Sequence, residues 1–165
     1  MQSNELKLFE YHIWANNKVF DRLLELPDGI YNQKVESVFE SLSAVVSHMY
    51  TTDILWLGLI SGDSNEEVWE AAGQAWKEVK GKSAEQTKEL YNTLGEQYKE
   101  MISKRDKSLH LKHPKFGELD TTMLELVQHV VNHGTYHRGN ITAMLRQMGY
   151  AGVSTDYIFY LYDLK

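Results

Sequence analysis

Cysteine is absent from the 165 residues, which excludes disulfides, thiolate metal ligands and a cysteine nucleophile and is compatible with a reducing compartment. Any metal site must therefore draw on histidine, carboxylate or neutral oxygen ligands. Proline is scarce: only Pro27 and Pro114 interrupt the chain, which leaves long stretches free for helix. The longest strongly apolar run, residues 54–60, falls far short of the roughly 20 residues that span a bilayer, so no membrane segment is expected. Basic residues are outnumbered, 17 Lys and Arg against 23 Asp and Glu for a net charge of −6, with an isoelectric point near 5.6. A phosphate backbone gains no general attraction from that balance, and nucleic acid is not an expected partner. Residues 1–8, MQSNELKL, lack the basic start and apolar centre of a signal peptide, and a cytoplasmic location is expected.

What is present is an ordinary globular balance, 42% hydrophobic and 24% charged, at a length that suits one domain over residues 1–165. Leu6, Phe9, Ile13, Phe20, Leu23 and Leu24 keep helical spacing, with Asn4 as cap and Pro27-Asp28-Gly29 as stop. From about Ser41, Leu42, Val45, Val46, Met49, Leu55, Trp56 and Leu59 define a second helix that ends near Ser61-Gly62-Asp63 and carries His48. Residues 62–82, with Gly62, Gly73 and Gly81, read as a long connection with room for a short helix, whose Trp69 and Trp76 cover one end of the core. Ser83-Ala84-Glu85-Gln86 is a capping box that opens a third helix, fading near Lys107. Pro114 and Gly117 break the period over residues 109–119, where a small hairpin is weakly specified. Thr121 or Thr122 then caps a fourth helix over residues 123–147, followed by a tail rich in Tyr and Phe. Four helices of roughly 20–25 residues, each about 30–38 Å long, predict an all-α fold, a four-helix bundle with a long crossover between helices 2 and 3.

The informative stretch spaces His129, His133 and His137 at intervals of four along one helix. Four steps of about 100° leave neighbouring side chains some 40° apart, so they share a face. The stripe climbs about 6 Å per interval, so His129 and His137 stand about 12 Å apart and all three do not reach one ion at about 2.1 Å. One of them is therefore structural or supports a ligand from behind. A further ligand has to come from another helix. His48 is the best candidate, lying on a core-forming segment where an unpartnered imidazole is costly. His12 is the competitor, and His110 and His113, in an irregular polar segment, rank with it below His48. An isolated HxxxH pair is more often a partly exposed or internally satisfied pair than a metal site.

The stretch His133-Gly-Thr-Tyr-His137-Arg-Gly-Asn140 resembles the HxxxHRGQ signature of the DinB-like (DinB/YfiT-like) family of bacterial metal-binding four-helix bundles. Tyr11-His-Ile-Trp14-Ala15-Asn16 is similar to that family's aromatic-Trp-Ala-Asn opening, and Ser47-His48-Met49 followed by Trp56 to its second-helix ligand region. The likeness runs from end to end, leaving residues 62–82 and the tail unmatched. It implies His48, His133 and His137 as the three ligands and makes His129 a frequent non-ligand histidine one turn earlier. Asn140 stands where Gln is usual and has the shorter reach.

Three imidazoles with a position left open describe a catalytic rather than a closed structural site, and imidazole suits zinc or nickel as the divalent ion. A bound water or thiol would have its pKa lowered there. Gly134 occupies the place of the Glu in HExxH, which disfavours a metalloprotease. The resemblance implies a thiol S-transferase in which a metal-activated thiolate, from a low-molecular-weight thiol, attacks a small electrophilic substrate. A metal-dependent hydrolase, or a non-catalytic structural or sensor bundle, are the alternatives, and no catalytic residue is assigned. Arg138 orients an anionic substrate or, the favoured reading, serves in packing or an ion pair. Asn16 bridges helices or satisfies backbone groups, and Asp53 supports a ligand imidazole or faces solvent. Trp14, Trp56 and Tyr136 read as core aromatics, while Gly134 and Gly139 suggest a close approach by another helix or a ligand. The tail from Tyr157 to Tyr162 closes the bundle or joins a second copy in a homodimer.

Overall fold

A computed structural model describes residues 3–104, 108–113 and 116–165. Hydroxyl side chains start most of its helices by accepting an otherwise free backbone N–H. Ser3 takes that of Leu6 to open α1 (Asn4–Leu24), so the cap lies one residue ahead of the expected Asn4. Ser41 takes that of Ala44 to open α2 (Leu42–Ser61), and Gly62, at φ +84°, ends it by returning its N–H to the carbonyls of Gly58 and Leu59.

The connection over residues 62–82 does hold a helix, and a longer one than expected: α3 (Asn65–Val79) takes up 15 of its residues. Ser64 and Glu67 form a reciprocal capping box, and Val68, Ala72, Ala75 and Val79 recur at helical spacing and are buried. Gly62 and Gly81 punctuate its ends with positive φ, whereas Gly73 lies within it. Trp69 and Trp76 do not cover the core: they are 59% and 45% exposed.

Ser83 and Gln86 exchange hydrogen bonds of 3.0 and 3.2 Å at the start of α4 (Ala84–Lys104). The weakly specified hairpin forms, β1 (Ser108–His113) pairing antiparallel with β2 (Gly117–Thr122), Ser108 opposite Thr122 and His113 opposite Gly117. Lys107 and Pro114 lie outside the described residues. Thr122, in a capping box with Glu125, then opens α5 (Met123–Gln147), and α6 (Tyr157–Asp163) forms within the aromatic tail.

The chain is mainly helical, six α-helices with one two-stranded hairpin among the described residues. No helix among them is long and apolar enough to cross a membrane. α1 packs on α4 and α5, and α2 packs on α3, α4 and α5. The shared core takes Phe9 and Phe20 from α1, Leu42 and Val45 from α2, Leu94 and Tyr98 from α4, and Val127 and Met144 from α5. Each large apolar side chain so buried contributes about 1.5–3 kcal/mol. Tyr98 stacks on Phe9 at 4.4 Å and donates its hydroxyl proton to the Asp53 carbonyl at 2.7 Å, tying α4 to both α1 and α2. The tail is fastened where the Tyr11 hydroxyl donates to the Thr155 carbonyl at 2.8 Å. α6 buries Tyr160 but leaves Ile158, Phe159 and Tyr162 exposed.

Candidate metal centre

Helical spacing puts His133 and His137 one turn apart on α5, with their Nε2 atoms 3.0 Å from each other. α2 crosses in front of them and brings the His48 ring to 5.3 Å from His133 and 4.7 Å from His137. One nitrogen from each of the three lies within 4.8 Å of the other two, so this group could hold a metal ion. Nitrogens about 2.1 Å from a shared centre lie about 3–4 Å apart; the His133–His137 pair has that spacing at 3.0 Å, and the group as a whole lies within 4.8 Å.

The electrostatics of the group favour ligation as well. Burial pushes the pKa of His48 down and that of His133 down, in each case against the opposing field of Asp53. His137 is lowered to about 4, first by burial and then by the neighbouring His133 and His48. Imidazoles held neutral at pH 7 keep a nitrogen lone pair free for an ion. On the far side of His137, Nδ1 lies 3.3 Å from the Asn140 amide. The shorter amide thus reaches the His137 ring, its nitrogen placed to donate to Nδ1. His133 Nδ1 is buried with no hydrogen-bond partner.

Aromatic rings frame the site. Phe39, in the segment ahead of α2, sits 5.4 Å from His48 and 5.5 Å edge-on to His137. Nothing in the local sequence marks Phe39, because it lies in a stretch without helical or strand period. Tyr136 lies 5.0 Å from His137 and is 66% exposed, which corrects its reading as a core aromatic. Trp56 is half-buried and packs at 4.2 Å on the ring of His129. His129 itself stacks 6.5 Å from His133 and stands outside the close group, as the climb along the helix requires. Burial lowers its pKa too.

The remaining sequence candidates go elsewhere. His110 is exposed on β1, with Nδ1 2.7 Å from Asp120; the side chain of His113 lies outside the described residues. His12 joins a buried polar cluster instead of the three histidines. Its Nε2 lies 3.2 Å from Asp53 Oδ2 and 3.0 Å from Asn16 Nδ2. Arg138, only 2% exposed, donates from Nη1 to Asn16 Oδ1 at 2.8 Å, from Nη2 to Thr135 Oγ1 at 2.8 Å, and approaches His12 Nδ1 at 3.4 Å. Arg138 can only donate to Nδ1, which puts the ring proton on Nε2 toward Asp53 and makes the Asn16 amide nitrogen a close neighbour of that N–H, not a hydrogen-bond partner of it. Asp53 therefore neither faces solvent nor touches a ligand imidazole. A Cβ added to Gly134 would come within 2.4 Å of His12 Cε1 and 2.8 Å of Arg138 Nη1, which explains that glycine. Gly139 has no atom near its missing Cβ, so the expected close approach there does not occur.

Comparison with known proteins covers nearly the whole chain. The sequence pattern of the DinB family matches residues 1–163. Protein DinB of Bacillus subtilis (strain 168) is 44% identical over 168 aligned residues, which cover 100% of this chain and 98% of that protein.

Proposed function

Since the chain belongs to the DinB family, we propose that it binds one divalent ion, zinc or nickel, through His48, His133 and His137 and acts as a thiol S-transferase. The observation that carries the reading is the meeting of three imidazole nitrogens from α2 and α5 within 4.8 Å. We read α1, α2, α4 and α5 as a single-domain four-helix bundle with α3 in the crossover between its second and third members, the site lying where the second and fourth members face each other. A divalent ion held there lowers the pKa of a thiol bound beside it, supplying thiolate near neutral pH.

The chain's own residues do the rest. His48, His133 and His137 offer neutral nitrogen donors, and three protein ligands leave room for a thiol. Phe39 and Tyr136 give the site an apolar wall that favours an uncharged or aromatic electrophile. Among the described residues the donor group holds no carboxylate, and Asp53 turns one oxygen to His12 and away from the three histidines. This favours the transferase over the hydrolase. Exposed aromatics on α6 provide a face for a second copy, which sedimentation analysis checks.

Metal content by elemental mass spectrometry on untagged protein tests the site. Near-stoichiometric zinc or nickel, lost in His48→Ala and in His133→Ala, is expected. A parent chain that cannot be loaded would refute it. Loaded protein offered low-molecular-weight thiols with a panel of electrophiles should accelerate conjugation; failure across the panel would remove the transferase reading while leaving metal binding intact.

A further inference from the structure

The buried polar cluster behind the three histidines links every helix that the site depends on. Asp53 stands on α2 five residues beyond His48, Arg138 follows His137 directly on α5, and His12 and Asn16 come from α1. The two ligand-bearing helices are thereby joined through a third, along Asp53, His12, Asn16 and Arg138, with separations of 2.8–3.4 Å. Gly134, the neighbour of His133, is the place where the α5 backbone must lie close enough for His12 to fit. Stability is a poor explanation for such a cluster, because well-packed apolar residues of similar volume often stabilise a core as well or better. What apolar packing does not supply is a unique register, since a slide of one helix past another leaves oily contacts but breaks a fork of directed hydrogen bonds.

We infer that His12, Asn16, Asp53 and Arg138 are positioning residues that set the register of α2 against α5 through α1, and so hold His48 at ligating distance from His133 and His137. The inference rests on the metal-binding reading above. Arg138 is the hinge of the device: its planar fork reaches Asn16 and Thr135 at once, a geometry that a lysine cannot reproduce. Asp53 adds a negative charge whose field reaches all three candidate ligands, which complements an arriving dication.

The test measures zinc affinity by chelator competition and the visible spectrum of the cobalt(II)-loaded full-length protein, whose band positions and intensities report coordination geometry. Parent, Asp53→Asn, Arg138→Met, Arg138→Lys and the milder Thr135→Val are compared, with Val79→Ala on α3 as a destabilised control remote from the cluster. Supporting outcomes are a loss of zinc affinity of about tenfold or more in the Asp53 and Arg138 variants, an altered cobalt spectrum, no rescue by lysine, and an unchanged control. Thr135→Val, which removes one arm of the fork and keeps the Nη1 bond to Asn16, is expected to fold and to weaken zinc binding several-fold. Folded Thr135→Val and Arg138 variants with the parent's affinity and spectrum would overturn the inference while metal binding stands. A parent that binds neither metal would overturn both.

Discussion

At the scale of the single residue, His137 and the two helix glycines make opposite kinds of prediction. His137 titrates near 4 in the folded chain against about 6.5 when unfolded. Between those values the unfolded state holds a proton that the folded state does not, so the stability of the metal-free protein is complete above about pH 6.5 and falls as pH drops toward 4. The lowered pKa values of His48 and His133 act in the same direction. Urea midpoints measured in chelator should therefore fall steadily from pH 7 to pH 5, with a shallower fall in His137→Asn; equal slopes in parent and variant would contradict the shift. Gly134→Ala should destabilise by about 1–3 kcal/mol, since its Cβ would meet the ring of His12 inside a packed interior. Gly139→Ala, with open space at the same atom, should stabilise α5 by up to about 1 kcal/mol. Thermal melts of the two variants moving in the same direction would contradict this account. The sequence marks both positions equally as glycines in a helix. Only the fold separates them, because the partner of Gly134 is His12, far away in the chain.

At the scale of the element, local chemistry was legible wherever it is local. Ser41, the Ser83–Gln86 pair and the Thr122–Glu125 pair announce helix starts that the structure shows. The length of α3 was the less legible part, because Gly62, Gly73 and Gly81 together suggest a connection with only a short helix. The signal was nonetheless present, in Ser64 and Glu67 at capping-box spacing and in the apolar stripe from Val68 to Val79. Two of those glycines occupy the left-handed conformation that helix ends require, and the third is a tolerated cost inside the helix. A cap acts on its own first turn and not on a site farther along. Thr122→Ala should thus cost α5 about 0.5–2 kcal/mol, read as a lower urea midpoint, while zinc affinity stays within twofold of the parent because His133 lies three turns beyond the cap. A proportional loss of affinity would mean that fraying at Thr122 propagates to the ligands.

At the scale of the whole molecule, the same separation of roles decides what removal of the ion should do. The pair on α5 was legible from its spacing, and His48 from the cost of an imidazole on an apolar helix face. The link from Asp53 through His12 to Arg138 was not, since it joins residues 41 and 126 positions apart and no periodicity records a contact of that range. Both features lie beside a core shared by α1, α2, α4 and α5 that is built from apolar side chains, and burial on that scale is expected to hold the helices together without an ion. A bound ion adds only its linkage free energy, about 2.7 kcal/mol at a hundredfold excess over Kd, to a folding free energy of about 5–15 kcal/mol. Chelation should therefore lower Tm by about 5–10 °C for a chain of this length and leave the far-ultraviolet circular dichroism at 25 °C unchanged. The histidines then form a site that the fold presents to a ligand. Collapse of the helical signal on chelation would instead make the ion part of the fold, and would favour the structural reading of the three histidines over the transferase.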